Sequence, residues 1–224
     1  MNSVETSNID YYLKLFQMVF YAVGTAVAVL TYRSAKRGLL NTVNTEYQKH
    51  VLNNMVAVSS ELYSEFDDDS DFHWTKIKSN EEFLVGINKE ILPIKYEIIT
   101  GKLDRESVGM PVTKDIRKLK QLEKKFKSDP FMPKRIRAKV LNYISNRIEK
   151  TFECHDEFAR DYVSSLRNEK NWERFGKNLG GLSNDLNQLL YKYGVGISQN
   201  QEAVDDIRKE IHIYYAEFDP IPSR

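Results

Sequence analysis

The feature that most constrains this chain is an uncharged run of eighteen residues near its amino terminus. It extends from Leu15 to Tyr32 and reads LFQMVFYAVGTAVAVLTY; it lengthens to Tyr11 if the Lys14 ammonium reaches toward lipid head groups. A helix of about 20 apolar residues spans the hydrocarbon core of a bilayer. Tyrosines at both ends suit the interface between lipid and water. We therefore expect a transmembrane helix over residues 11–32.

A cleaved signal peptide is the alternative interpretation of this run. Ala26 and Ala28 flank Val27 in a small-x-small pattern that signal peptidases recognise. The run is longer than a usual signal-peptide core, however, and the flank that precedes it carries little positive charge. We expect the segment to remain in the protein as a membrane anchor.

The flanking charges predict the orientation of this anchor. Arg33, Lys36 and Arg37 follow the run directly, whereas the leader offers Glu5 and Asp10 as well as Lys14. Basic residues favour the cytoplasmic side of a membrane. The sequence therefore predicts a single-pass protein of an inner or plasma membrane. In this orientation we expect residues 1–10 to form a short extracytoplasmic leader and the C-terminal domain to lie in the cytoplasm.

Small and polar residues recur along the predicted span at intervals of three and four, so they share one helix face. Gly24 and Ala28 form a small-xxx-small pair, which lets two helices approach closely in lipid. This association stripe consists of Lys14, Gln17, Tyr21, Gly24, Ala28 and Thr31. We expect it to support a homo-oligomer, although glycine and alanine are common in any membrane helix.

Beyond the span, apolar residues keep a helical period and no alternation typical of strands persists. With 41% apolar residues, 29% charged residues and one cysteine, the chain needs a core that is held by packing alone. We predict a mainly α fold. It comprises a long juxtamembrane helix over 33–66, a helical cytoplasmic domain over 67–219, and a tail over 220–224.

Local signals predict individual helices of that domain. Ser79 with Glu82 resembles a capping box, and Thr113 can cap a short helix that follows it. A helical periodicity of apolar residues persists for about thirty residues, from Ile136 to Leu166. It predicts the longest helix of the domain, which we expect to be the spine of a bundle. The β-branched stretch over 94–100 leaves a strand as a minority alternative there.

Metal and cofactor signatures fail on inspection. Asp67, Asp69 and Asp71 match the first ligand spacings of a calcium loop, but Phe72 stands where glycine is required and Lys78 where glutamate is required. The four histidines include no pair at metal-binding helical spacing, and glycine-rich phosphate loops are missing. The sequence therefore predicts no metal, no cofactor and no catalytic residues. We do not expect an enzyme.

The strongest enzymatic alternative is a helical ribonuclease. Arg208 and His212 lie four residues apart and loosely resemble the arginine and histidine pair of HEPN-type ribonucleases. The spacing is one residue too short for that pattern. His155 falls near the apolar stripe of its own helix, where a core histidine with satisfied hydrogen bonds is the expected role.

Charge is distributed unevenly along the chain, although 33 basic residues balance 32 acidic ones. Residues 114–139 hold eleven basic and three acidic side chains, a net charge of +8, whereas residues 61–82 carry a net charge of −6. The expected basic partner face comprises Arg117, Lys118, Lys120, Lys124, Lys125, Lys134, Arg135, Arg137 and Lys139. It can bind a cytoplasmic protein, an anionic lipid or, less favoured, a nucleic acid, or it can neutralise the acidic stretch.

These patterns favour a membrane-anchored protein that acts through association. The layout, one span followed by a helical domain, is similar in outline to single-span effectors of bacterial defence systems, although no motif carries that likeness. We expect either a self-associating effector, which as an oligomer can perturb the membrane, or a tethered interaction module. The membrane-tethered ribonuclease is the alternative.

Overall fold

The computed structural model describes residues 3–103 and 108–217, with side chains left out at 3–11, 41 and 174. The chain is mainly helical, with 82% of it in helices, and the described residues contain no strand. The chain divides into two compact units, residues 1–50 and residues 51–224. The predicted tail over 220–224 lies outside the described residues.

Helix α1 (Ser3–Tyr63) is long and apolar enough, by length and composition, to cross a membrane. Within the first unit, almost all of the described side chains of α1 are exposed, and no part of its most apolar stretch is buried. Gly38 does not interrupt the helix. The helix predicted over 33–66 is therefore a continuation of α1 that ends at Tyr63 rather than Phe66, and its position beside a membrane stays a prediction.

The second unit contains the rest of the helices. They are α2 (Trp74–Ile77), α3 (Ser79–Ile91), α4 (Lys95–Ile99), α5 (Lys114–Lys127), α6 (Lys134–Leu166), α7 (Leu179–Lys192) and α8 (Ile197–Glu217). Short 3-10 turns at Leu92–Ile94 and Glu169–Arg174 connect them. Pro93 lies in the first of these turns, which separates α3 from α4. The stretch over 94–100 is thus helical, and the strand alternative is wrong.

Helix α6 supplies buried side chains to each of three apolar clusters that the described residues of the second unit form. It has no glycine or proline over its 33 residues, so nothing breaks its period. Ile136, Val140 and Ile144 pack with the last turns of α1 and with α5 and α8. Further along, α6 packs against α3, α4 and α7. This central position agrees with the spine that the sequence predicts.

One predicted cap is wrong for a geometric reason. Helix α3 begins after Lys78, whose backbone adopts a left-handed conformation with φ of 51°, so Ser79 is already inside the helix. Glu82 does not bond back to a cap. Its carboxylate instead accepts hydrogen bonds from the backbone N–H of Lys114 and from Arg117, each at 2.8 Å. The acidic side chain therefore joins α3 to the start of α5.

Candidate functional site

The predicted association stripe lies on the exposed part of α1 in the first unit. Lys14, Gln17, Tyr21, Gly24, Ala28 and Thr31 are all exposed. A methyl group added at Gly24 meets no atom within 4 Å, and Thr25 next to it donates a hydrogen bond to the carbonyl of Tyr21 at 2.8 Å. The association stripe is therefore an open helix surface, and the small residues Gly24 and Ala28 lie near its middle.

The first half of the predicted basic face contacts acidic and aromatic residues of the same unit. Arg117 pairs with Glu82 at 2.8 Å, and Lys125 pairs with Glu61. The Lys118 ammonium donates to the Ser64 hydroxyl at 2.8 Å and lies 3.8 Å from the ring centroid of Phe72. Lys120 lies 5.0 Å from the ring centroid of Phe152. Part of the acidic stretch over 61–82 is thus neutralised within the molecule.

The second half of the face contacts α8 and the turn before α6. Arg135 pairs with Glu210 at 2.7 Å, and Lys139 donates to the carbonyl of Asp206 at 3.2 Å. Arg137 donates to the backbone carbonyls of Asp129 and Met132. Lys124 and Lys134 have no ion pair among the residues described. Binding of an external partner to the basic face stays a prediction.

Arg208 and His212, the alternative ribonuclease pair, both lie on the exposed side of α8. The Arg208 guanidinium lies 4.1 Å from the ring centroid of Tyr63, and it donates to the Ser59 hydroxyl at 3.3 Å. It also pairs with Asp205 at 3.6 Å. These contacts attach α8 to the end of α1, and the arginine and histidine line none of the cavities described below.

A polar stripe along α6 forms the clearest internal site of the second unit. Tyr143, Arg147, Thr151 and His155 follow one another at intervals of four, so they share one helix face. Arg147, Thr151 and His155 are each less than 9% exposed. These polar residues of α6 lie next to its apolar positions. The helical periodicity of the sequence therefore does not set them apart as a functional site.

Arg147 and Glu65 form a bidentate ion pair in this interior. Two guanidinium nitrogens donate to the two carboxylate oxygens, each at 2.6 Å, and one of them also donates to the Tyr143 hydroxyl at 2.9 Å. Burial alone would lower the pKa of Arg147, but the charge of Glu65 and its hydrogen bonds raise it well above its ordinary value. Burial also raises the pKa of Tyr143, so the phenol keeps its proton.

His155 is buried on the same helix, but it is not the satisfied core histidine that the sequence predicts. Its ring stacks on Phe83 with centroids 3.9 Å apart. Its Nδ1 is buried and has no hydrogen-bond partner among the described residues. Burial lowers the pKa of His155 to about 4, partly opposed by the Asp115 carboxylate. The imidazole is therefore neutral at pH 7.

Asp115 faces this interior from the first turn of α5. Its Oδ1 is buried and also lacks a hydrogen-bond partner in the part of the chain that the structure describes. The amino end of a helix favours a negative charge there. Asp115 also interacts favourably with the positive charge of Arg147. The sequence contains no motif that marks Asp115, because its neighbours come from α6 and from the turn after α1.

These groups surround a polar cleft of about 360 Å³, bounded by Glu65, Trp74, Asp115, Arg147, His155 and Asn200. The Asn200 amide donates to the carbonyl of Val195 at 2.7 Å, which fixes the wall that α8 contributes. Ile77, Leu190 and Ile197 add apolar surface. Among the described residues no cluster of side chains could hold a metal ion. The cleft thus offers hydrogen-bonding groups on a partly apolar wall.

Nothing matches this chain among protein-family models, curated proteins or solved structures.

Proposed function

We propose that this protein is a single-pass membrane protein that self-associates through its span and tethers its helical domain to the cytoplasmic face. The observation that carries the proposal is the exposed apolar surface of α1 over residues 15–32, which none of the described residues of the first unit covers. Each leucine, phenylalanine or valine at the centre of a span contributes about −0.3 to −0.6 kcal/mol to insertion. Lipid is the solvent that suits this surface.

The flanking charges support the orientation. Arg33, Lys36 and Arg37 lie on α1 immediately after the span and are exposed. Three cations in the first two turns beyond the bilayer favour the cytoplasmic side. The second unit follows them along the chain, so the same orientation assigns it to the cytoplasm.

Self-association is proposed for the stripe around Gly24 and Ala28. Hydrophobic burial does not drive two helices together in lipid, so close backbone packing has to supply the attraction. The open surface at Gly24 leaves room for a second helix. An oligomer would also let Lys14, Gln17 and Thr31 face one another away from lipid.

The test is crosslinking of the full-length protein in its own membranes. Gly24→Ile combined with Ala28→Ile enlarges the stripe without a clash inside one chain, since the added methyl at Gly24 meets no atom within 4 Å. The matched control is Ala22→Ile combined with Ala26→Ile, which adds similar bulk at exposed positions on the opposite face. We expect the stripe variant to lose the crosslinked oligomers and the control to keep them.

Unchanged crosslinking in the stripe variant would contradict self-association through this face. Equal loss in both variants would show that any added bulk disturbs the span, and would contradict the proposed stripe as well.

A further consequence concerns the membrane itself. If the oligomer perturbs the bilayer, overexpression should lower the membrane potential, and Gly24→Ile with Ala28→Ile should restore it. An unchanged potential on overexpression of the wild-type chain would leave the tethered interaction module and remove the membrane-perturbing effector.

A further inference from the structure

The polar cleft has the size and walls of a small-molecule site. Its volume of about 360 Å³ falls within the range of known ligand pockets, about 300 to 1,000 Å³. Trp74 and Leu190 offer apolar contact area, and a few polar groups converge beside them. This combination of apolar walls and few oriented polar groups is typical of ligand sites.

The charges that line the cleft leave an excess of one negative charge. Lys78 and Arg147 are positive, whereas Glu65, Glu81 and Asp115 are negative. Lys78 pairs with Glu81 at 3.3 Å, and Arg147 pairs with Glu65. Asp115 is therefore the carboxylate of the cleft lining that forms neither of these two ion pairs. Lys118 does not line the cleft, and its ammonium is bonded to the Ser64 hydroxyl.

Two hydrogen-bonding atoms at the cleft are buried without partners. They are Oδ1 of Asp115 and Nδ1 of His155, and neither has a partner among the described residues. His155 as a whole is only 3% exposed. Leaving a buried polar atom without a hydrogen bond is unfavourable. Both atoms can accept a hydrogen bond, since a neutral imidazole that carries its proton on Nε2 accepts at Nδ1.

We propose that this cleft binds a small organic cation that donates N–H hydrogen bonds, with the Asp115 carboxylate as its counter-ion and His155 as a neighbouring acceptor. A donating cation supplies what both atoms lack and neutralises the excess charge. An anion would meet the charge of Asp115, and the Arg147 guanidinium is already paired with Glu65 through two hydrogen bonds of 2.6 Å.

Three probes of nearly equal shape separate these chemistries. Benzamidine is a planar cation with N–H donors, benzamide is its neutral counterpart, and benzoate is the matching anion. Binding is measured by calorimetry on the full-length protein in detergent micelles. We expect saturable binding of benzamidine with a dissociation constant of about 1 mM or below, weaker binding of benzamide and none of benzoate.

The two tryptophans of the chain locate the bound probe. Trp74 lines the cleft, whereas the Trp172 indole donates to the carbonyl of Leu166 at 2.7 Å and lies outside it. In ¹⁵N-indole NMR spectra, benzamidine should shift the Trp74 signal and leave the Trp172 signal in place. This readout uses the wild-type chain, so it does not depend on any variant folding.

A pair of variants tests the counter-ion. Asp115→Asn removes the charge and should weaken benzamidine binding about tenfold or more, because hydrogen bonds to charged groups are the strong ones. Asp161→Asn removes an exposed carboxylate from the same domain and should change the affinity less than about twofold.

Three results would overturn the proposal. They are absence of saturable benzamidine binding, binding of benzoate as tight as that of benzamidine, and a benzamidine effect on Trp172 without one on Trp74. None of them bears on the membrane span, so failure of this inference and failure of the proposed function are distinguishable.

Discussion

At the scale of single residues, we expect the stability of the second unit to depend on the ion pair between Arg147 and Glu65. The Arg147 side chain is 8% exposed and the Glu65 side chain 18% exposed. Each charge depends on the other, because water reaches neither freely. Sequence alone places Arg147 on a helix, but its partner is 82 positions away and no periodicity connects the two.

Removing the arginine tests this dependence. Arg147→Met should lower the free energy of unfolding by about 3 to 5 kcal/mol, because Glu65 is left charged and buried. Arg160→Met is the control, since Arg160 pairs with Asp156 on the exposed side of the same helix; its cost should be below about 1 kcal/mol. Urea unfolding in micelles, followed by tryptophan fluorescence, measures both. Equal losses would contradict the special role of the buried pair.

His155 makes a prediction about pH. The unfolded chain binds a proton at this histidine near pH 6.5, but the folded chain does so only near pH 4. Its contribution to stability is therefore complete above pH 6.5 and is lost as the pH falls from 6.5 to 4, to a total of about 3 kcal/mol. The facing groups are Phe83, which stacks on the ring, and Asp115, which opposes the shift.

The measurement is the free energy of unfolding at a series of pH values between 4 and 7. His155→Gln should flatten this profile, whereas His212→Gln, at an exposed position of α8, should leave it as it is. A wild-type profile that is already flat over this range would contradict the burial argument.

At the scale of elements, the periodicity of apolar residues predicts where helices lie, but it does not predict how they are capped or which segments pack against them. The helical periodicity from Ile136 to Leu166 predicts α6 to within two residues of its start. Gly194, with φ of 78°, lies between α7 and α8. The capping box at Ser79 fails because Lys78 takes the left-handed conformation, which sequence does not announce for a lysine.

Helix α3 offers a test of packing that the sequence pattern does not reveal. A methyl group added at Gly86 would lie 2.7 Å from the Pro111 Cβ atom, so Gly86→Ala requires a backbone shift. We expect it to lower the free energy of unfolding by about 1 to 3 kcal/mol. At Gly180, near the start of α7, the added methyl meets nothing within 4 Å.

Gly180→Ala is therefore the control, and it should keep stability or raise it by up to about 1 kcal/mol, since alanine favours helix over glycine. Chemical denaturation of both variants decides the matter. A Gly86→Ala chain as stable as the wild type would show that α3 does not pack closely on the segment around Pro111.

At the scale of the whole molecule, composition marks an apolar segment at residues 15–32, and the helical period predicts a domain with its own core. Both signals are local, because they report only which solvent each surface suits. They do not reveal the polar cleft, whose walls come from the turn after α1 and from α2, α3, α5, α6, α7 and α8. Long-range assembly of single polar residues leaves no local pattern.

The central claim is that residues 15–32 cross a membrane with the helical domain in the cytoplasm. Single cysteines test it at three positions, Asn8→Cys before the span, Val23→Cys within it and Ser165→Cys on the exposed surface of α6. The native Cys154 remains, because it is buried and burial raises the pKa of its thiol to about 12.

The measurement is labelling with a membrane-impermeant maleimide in intact and in permeabilised cells. We predict labelling of Asn8→Cys in intact cells, of Ser165→Cys only after permeabilisation, and of Val23→Cys in neither. Labelling of Ser165→Cys in intact cells would contradict the orientation. Labelling of Val23→Cys in permeabilised cells would contradict the span itself.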